Sequence, residues 1–297
     1  MRVNGVEIED TFAEAFDMWG ARLIVTAING KWARIAGDNA TGFATSVIAC
    51  GAEAGIEKPI PASETPDGRP GMSLLVFTMG PKGMKKQLMG RVGQSIMTCP
   101  TTACFNGLNE GEKTVEVGGT LRYFGDGYQI SKLLEGRRLW RIPVMEGEFV
   151  VDESFTLKRS VGGGNFLILG EDVGATLEGA EAAVEAIAEV DGVVTPFPGG
   201  IVRSGSKTSS KYAFLRASTN SPYCPMLRGQ LETDLPENVN SVLEIVIDGL
   251  SDAAVGQATA VGVRAACRPG IVRISAGNYG GTLGSHQFHL HDVLSRW

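Results

Sequence analysis

Apolar positions along this chain fall into two rhythms, and these predict most of its elements. Runs rich in β-branched and aromatic residues over 22–28, 44–48 and 73–78 read as strands. The mixed stretch 31–39 and the segment 84–97 read as helices. A loop rich in proline and glycine, 59–71, separates the second strand from the third. From 115 to 151 the character changes. Short β-type runs, Thr120-Leu121-Arg122-Tyr123-Phe124 and Leu139-Trp140-Arg141-Ile142, alternate with Gly-Asp-Gly and Glu-Gly turns, so hairpins are expected.

The second half repeats the plan more cleanly. A strand over 165–169 precedes a helix over 175–190, where Leu177, Ala180, Val184, Ile187 and Ala188 follow helical spacing. Glu178, Glu181, Glu185 and Glu189 take the opposite, solvated face. Val193-Val194 begins a strand before Pro196, and 242–247 forms another. Ser251 is placed to cap a helix reaching Ala266, with Asp252 in its first turn and Arg264 near its end, as the helix dipole favours. Strands over 271–275 and 287–290 follow.

Each half therefore reads β-α-β, β-α-β. The class is α+β: two ferredoxin-like lobes, a duplicated βαββαβ, with an inserted β-hairpin region in the first. Gly80 matches Gly249, and Val92-Gly93 matches Val261-Gly262, all at one offset of 169 on strand–turn–helix units. The boundary is expected near residue 150, giving an N-terminal lobe of 1–150 and a C-terminal lobe of 151–297.

Composition narrows the class of function. Hydrophobic residues make up 43% and charged residues 20%, which supplies a core for a soluble globular protein. The 40 glycines have no short period, so they mark turns and close approaches, not a fibre. A net charge of −6 argues against nucleic acid. No apolar run reaches membrane-spanning length, and the first residues lack the apolar centre of a secretory signal, so a cytoplasmic protein is expected. Cys50, Cys99, Cys104, Cys224 and Cys267 are odd in number and never spaced Cys-x-x-Cys, unlike a disulfide framework or structural zinc site.

Charge is unevenly placed. Residues 1–150 carry 16 basic and 17 acidic side chains, against 11 and 16 in the remainder. Inside that acidic half, 192–231 contains no acid but holds Arg203, Lys207, Lys211, Arg216 and Arg228. Gly199-Gly200, Ser204-Gly205-Ser206 and Ser218-Thr219-Asn220 lie among them. Cations, hydroxyls and flexible backbone suit anionic small molecules. A solvated basic surface balancing nearby glutamates fits the same composition.

Glu244 interrupts an apolar strand face between Val242 and Val246. A carboxyl there would lose hydration and hold a proton near neutral pH. An edge-strand glutamate facing water, or one in a structural ion pair, would give the same string. His286, His289 and His291 cluster near the end; His289 and His291 would share a strand face, yet no nearby acid or cysteine completes a familiar metal motif. They are read as structural. Cys99 and Cys104 lack a visible basic partner, and Gly162-Gly163-Gly164 precedes a strand and not a helix, so it is no phosphate fingerprint.

Several stretches resemble one family. Asn4-Gly5-Val6-Glu7-Ile8-Glu9-Asp10-Thr11-Phe12, Ala40-Thr41-Gly42-Phe43 and Glu64-Thr65-Pro66-Asp67-Gly68-Arg69-Pro70-Gly71 are similar to formylmethanofuran:tetrahydromethanopterin formyltransferases. So are Pro196-Phe197-Pro198-Gly199-Gly200, Ala217-Ser218-Thr219-Asn220, Glu244-Ile245-Val246-Ile247 and Ser275-Ala276-Gly277-Asn278-Tyr279-Gly280-Gly281. The resemblance runs in family order over essentially the whole chain.

It implies two ferredoxin-like lobes in a homo-oligomer, dimer or tetramer, with substrate clefts near subunit contacts. It further implies formyl transfer between methanofuran and tetrahydromethanopterin as carrier substrates, with no metal and no permanently bound cofactor. The family's catalytic glutamate corresponds to Glu244. The carriers' anionic tails would give the acid-free stretch a purpose, with Gly199, Gly200, Arg203, Ser204, Ser206, Lys207, Ser218, Thr219, Asn220 and Asn278 as substrate-binding candidates. Gly162–Gly170 and Val202-Arg203-Ser204-Gly205-Ser206-Lys207 resemble the bacterial branch, the D subunit of a formyltransferase/hydrolase complex in methylotrophs. Flow there would run toward formate, with other subunits of that complex as partners. A non-catalytic scaffold subunit, or the archaeal enzyme working in the reverse direction, is the alternative.

Overall fold

In the computed structural model, which describes all residues except Glu135, Arg216 and Asp234, each half of the chain builds its own four-stranded antiparallel sheet. In the first lobe the strands lie side by side as Glu53–Ile60, Gly71–Thr78, Phe12–Thr26 and Ala103–Asn106. In the second the order is Val193–Val194, Ser241–Gly249, Ser154–Gly170 and Ile271–Ser275. Both place the first strand between the third and the fourth, the ferredoxin-like arrangement. Helices Gly30–Thr41 and Pro81–Arg91 serve the first lobe; Val173–Ile187 and Asp252–Ala266 serve the second. Ser251 caps the last of these by accepting the Ala254 N–H.

The lobes are fused through their first strands, which are 15 and 17 residues long. They pair antiparallel from Lys158 opposite Gly20 to Gly162 opposite Phe16, so one hydrogen-bonded surface crosses the molecule. Each lobe also lends a strand to the other's first strand. Lys113–Glu116 pairs with the start of Ser154–Gly170, and His286–His289 with the start of Phe12–Thr26. The expected hairpin insertion is present as Ile130–Leu134, Arg137–Val144 and Gly147–Asp152, and the last of these joins the first lobe beside Ala103–Asn106.

A second contact closes the lobes against each other. Gly55 approaches Val194 so closely that a Cβ on the glycine would lie 2.9 Å from the valine side chain. Beside it, Glu57 takes Arg22 in a two-point pair, Nε to Oε2 at 2.8 Å and Nη2 to Oε1 at 2.5 Å, and accepts the Gly192 N–H at 2.7 Å.

Three local expectations are corrected. Residues 44–48 are not a strand: Ser46 caps a single helical turn, Val47–Cys50, ended by Gly51 at φ 76°. The strand there is Glu53–Ile60. Thr120-Leu121-Arg122-Tyr123-Phe124 is helical, as the turn Gly118–Leu121 continuing into Arg122–Gly125. His289 ends a strand while His291 lies on the helix Leu290–Arg296, so the two do not share a strand face.

Candidate functional site

On the Ser241–Gly249 strand, Ile245 and Ile247 turn toward the two helices and pack with Phe166, Ile168, Ala183 and Val255. Alternation sends Val242, Glu244 and Val246 to the other face. Among the described residues no α-helix covers that face. The segment between 195 and 240 folds over it, packing Leu235, Val239 and Tyr223 on Leu167, Leu169 and Val242. Its backbone also pairs with the strand: Glu244 N–H donates to Val202 O at 3.0 Å, and Val202 N–H donates to Glu244 O at 2.8 Å. With Leu167 opposite on the other side, Glu244 is fixed at both backbone edges.

Burial pushes the Glu244 carboxyl up to about 7. Among the described residues no cation or hydrogen-bond donor offsets that desolvation. The group is therefore poised between acid and base at neutral pH.

Two cavities meet at this carboxyl. One, of about 360 Å³, is walled by Leu167, Arg203, Ser204, Asn220, Tyr223 and Met226. The other, of about 330 Å³, is walled by Glu9, Asn165, Ser206, Lys207, Asn278 and Tyr279. Glu244, Leu167, Asn220 and Tyr223 line both. The fold thus brings Arg203, Ser204, Ser206, Lys207, Asn220 and Asn278 around Glu244. No acidic side chain pairs with Arg203 or Lys207 among the described residues.

The other candidates sit elsewhere. Ser218 donates to Ser209 O at 2.7 Å and Thr219 to Ser204 O at 3.5 Å, so both tie down the covering loop. Gly199 and Gly200 line a third cavity, of about 580 Å³, between Gly30–Thr41 of one lobe and Val173–Ile187 of the other. Arg216 lies outside the described residues. None of the histidines borders the Glu244 cavities. His286 is held between Asp252 and Asp17, at 2.5 and 3.1 Å, while the His289 ring rests 5.0 Å from that of Phe12. His291 Nε2 lies 2.9 Å from Ile8 O.

Residue types alone did not single out Asn165, Tyr223 or Tyr279. Asn165 Oδ1 accepts the Gly277 N–H at 2.7 Å, and the Tyr223 hydroxyl lies 3.3 Å from Ser275 Oγ. The Tyr279 phenol is held in its protonated form by burial and by the charges of Glu244 and Glu14. The only sequence signal at Tyr279 was its place within the 275–281 motif.

A half-buried carboxyl pushed up to about 7, between two chambers with a cation on each wall, has the chemistry of a candidate group-transfer site for two ligands. Comparison with known proteins gives that class its family. Residues 1–144 match the family model "Formylmethanofuran-tetrahydromethanopterin formyltransferase", and residues 147–293 match "FTR, proximal lobe". A formylmethanofuran–tetrahydromethanopterin formyltransferase of Methylococcus capsulatus is 56% identical over 99% of this chain and 100% of its own length. The protein of that name in Methanopyrus kandleri is 53% identical with the same coverage. Among solved structures, the Methanosarcina barkeri formyltransferase matches with a TM-score of 0.95 at 49% identity, covering 99% of this chain and 100% of that one. A chain of the Methylorubrum extorquens formyltransferase/hydrolase complex with methylofuran matches at 0.96 and 52%, covering 99% and 98%. The chain belongs to the formylmethanofuran–tetrahydromethanopterin formyltransferase family.

Proposed function

We propose that this chain transfers a formyl group between tetrahydromethanopterin and methanofuran, one carrier entering each cavity and the formyl carbon passing beside Glu244. The observation that carries the reading is the Glu244 carboxyl at the junction of two chambers. The acceptor amine attacks the formyl carbon directly, forming a tetrahedral adduct with an anionic oxygen and a cationic nitrogen. Glu244, as carboxylate, takes the proton from that nitrogen and returns it to the departing nitrogen as the adduct collapses. One proton therefore moves from acceptor to donor amine, and no covalent enzyme intermediate forms. A pKa of about 7 suits a group that must act both ways.

The anionic oxygen needs preorganised donors, and the Asn220 amide and the Tyr279 hydroxyl line the same space. Arg203 and Lys207, one per cavity, hold the anionic tails of the carriers. Acyl transfer between two amines asks for no metal and no resident cofactor, because the carriers bring the reacting nitrogens. Much of the acceleration comes from holding two large carriers in register.

Similarity to bacterial relatives and to the complex chain supports a place in a formyltransferase/hydrolase assembly, with flow toward formylmethanofuran and then formate. The chain works as a cytoplasmic homo-oligomer; no helix among the described residues is long and apolar enough to cross a membrane. The test is purified chain with both carriers and spectroscopic detection of formyl exchange in each direction. A well-folded chain that binds both carriers without exchange would establish the scaffold reading instead.

A further inference from the structure

Glu14 is 1% exposed, on the strand that opens the first lobe, yet it serves the second lobe's site. Its Oε2 accepts the Tyr279 N–H, and its Oε1 accepts the Leu283 N–H at 2.9 Å and the Gly284 N–H at 3.1 Å. The Gly281 N–H also points to it. These amides belong to a partly exposed loop, 277–285, in which water could satisfy them. They converge instead on one buried carboxylate. Gly280 and Gly281, at φ 71° and 72°, give the loop the left-handed turns that aim its N–H groups inward.

The same strand grips the loop a second time: the Asn278 amide donates to Thr11 Oγ1 and to Phe12 O, both at 3.1 Å. Asn278 and Tyr279 are the side chains this loop presents beside Glu244, next to the backbone of Gly277. Burial opposes ionisation of Glu14, but the backbone donors outweigh it and hold its pKa below the usual carboxylate range. Two carboxyls serving one region are thereby driven apart. Glu14 stays charged and binds the loop, while Glu244 titrates near 7.

We propose that Glu14 is a positioning residue of the formyl-transfer site, its carboxylate clamping the 277–285 loop so that Asn278 and the Tyr279 phenol close the cavity opposite Glu244. This rests on the reading of Glu244 as the transfer site. Glu14 touches no substrate and acts through the loop. Glutamine in its place has one accepting oxygen, and its NH2 faces N–H groups, so the loop would loosen and water would reach Glu244.

The test measures kcat, KM for each carrier and the pH profile in Glu14→Gln, Glu14→Asp, Tyr279→Phe and Glu244→Gln. Other titratable groups facing Glu244 are Glu9, Lys207, Tyr223 and Tyr279 from one cavity and Arg203 and Cys224 from the other; these variants leave all but Tyr279 in place. The expected result for Glu14→Gln is a kcat loss of about tenfold or more, with a smaller change in KM. Its acid limb should move down by about half a unit or more as Glu244 regains hydration. Tyr279→Phe should also lower kcat, and the double variant should cost less than the product of the single losses. A soluble Glu14→Gln protein with only a lower melting temperature, and wild-type kcat and pH profile, would overturn the clamp while leaving the Glu244 site intact. If Glu14→Gln does not fold, Glu14→Asp decides by the same readouts. Wild-type turnover in Tyr279→Phe overturns the proposal in any case. Full activity in Glu244→Gln removes the site reading and this inference with it.

Discussion

A carboxyl without a cationic partner among the described residues, lodged on a sheet face beneath a covering loop, is costly to ionise, and that cost makes Glu244 useful. Glu244→Gln should lower kcat by about 100-fold or more while the circular dichroism is unchanged, because the proton shuttle is removed and the shape kept. In the wild type, kcat/KM should fall on the acid side of about 7, where the carboxylate is lost. Stability should move the other way. The folded pKa lies above the unfolded value of 4.5, so the group favours folding below 4.5, and that contribution disappears as pH rises through about 7. At pH 8 the Gln variant should therefore melt higher than the wild type, by up to about 3 kcal/mol of added stability. A lower melting point at pH 8 would show that the carboxylate has a partner. Glu244 stood out in sequence because it breaks an apolar alternation between Val242 and Val246, a break that an exposed or ion-paired glutamate would also give. Glu14 was not, because the donors that give it meaning lie about 265 residues away and are backbone amides, which no side-chain pattern records.

Elements with a strong period were readable and those defined by partners were not. The helix Val173–Ile187 and the strand Ser241–Gly249 carry their faces in their own residues. Glu53–Ile60 does not: its inward Glu53 and Glu57 look solvent-facing until Arg22, Ser73 and the second lobe are in place. The early half of Phe12–Thr26 is similarly a product of pairing with Lys158–Gly162 and with His286–His289. The loop over the open face was legible by charge alone, as a stretch without acids. Replacing Arg203 and Lys207 with alanine should raise KM for at least one full-length carrier, several-fold, with kcat nearly unchanged, because remote contacts act equally on ground and transition states. Wild-type KM should rise with salt, since at about 0.15 M interactions beyond roughly 8 Å are already screened. A carrier trimmed of its anionic tail should feel neither change. Equal effects on trimmed and full-length carriers would mean these side chains act by ordering the loop.

At the scale of the molecule the two lobes are neither separable nor held by apolar surface alone. Each contributes a strand to the other, and their closed edge buries carboxyls from both sides. Asp248, fully buried on the second lobe, accepts the Gly163 N–H at 2.8 Å; Glu53 of the first accepts the Val47 N–H at 3.0 Å; and the two carboxyls are left facing each other. Burial, and then the Glu53 charge beside it, pushes the Asp248 pKa well up, and burial raises that of Glu53. Two such groups can share a proton but cannot both ionise cheaply. Their folded values exceed their unfolded ones, so the pair favours the closed lobes at low pH and loses that contribution as pH rises through its folded range. Asp248→Asn keeps an acceptor for Gly163 and sets a neutral amide beside Glu53, removing the need for the shared proton. In urea unfolding between pH 6 and 9, the wild type should lose stability relative to the variant. The difference should grow by up to about 1.4 kcal/mol per pH unit while the folded pair still holds its proton, and level off once that proton has left. Glu244 also weakens the fold as pH rises, but it is present in both proteins and cancels in the comparison. Parallel pH dependence in the two proteins would show that the carboxyls do not share a proton, and that the lobes are closed by the Arg22–Glu57 pair and apolar packing without them.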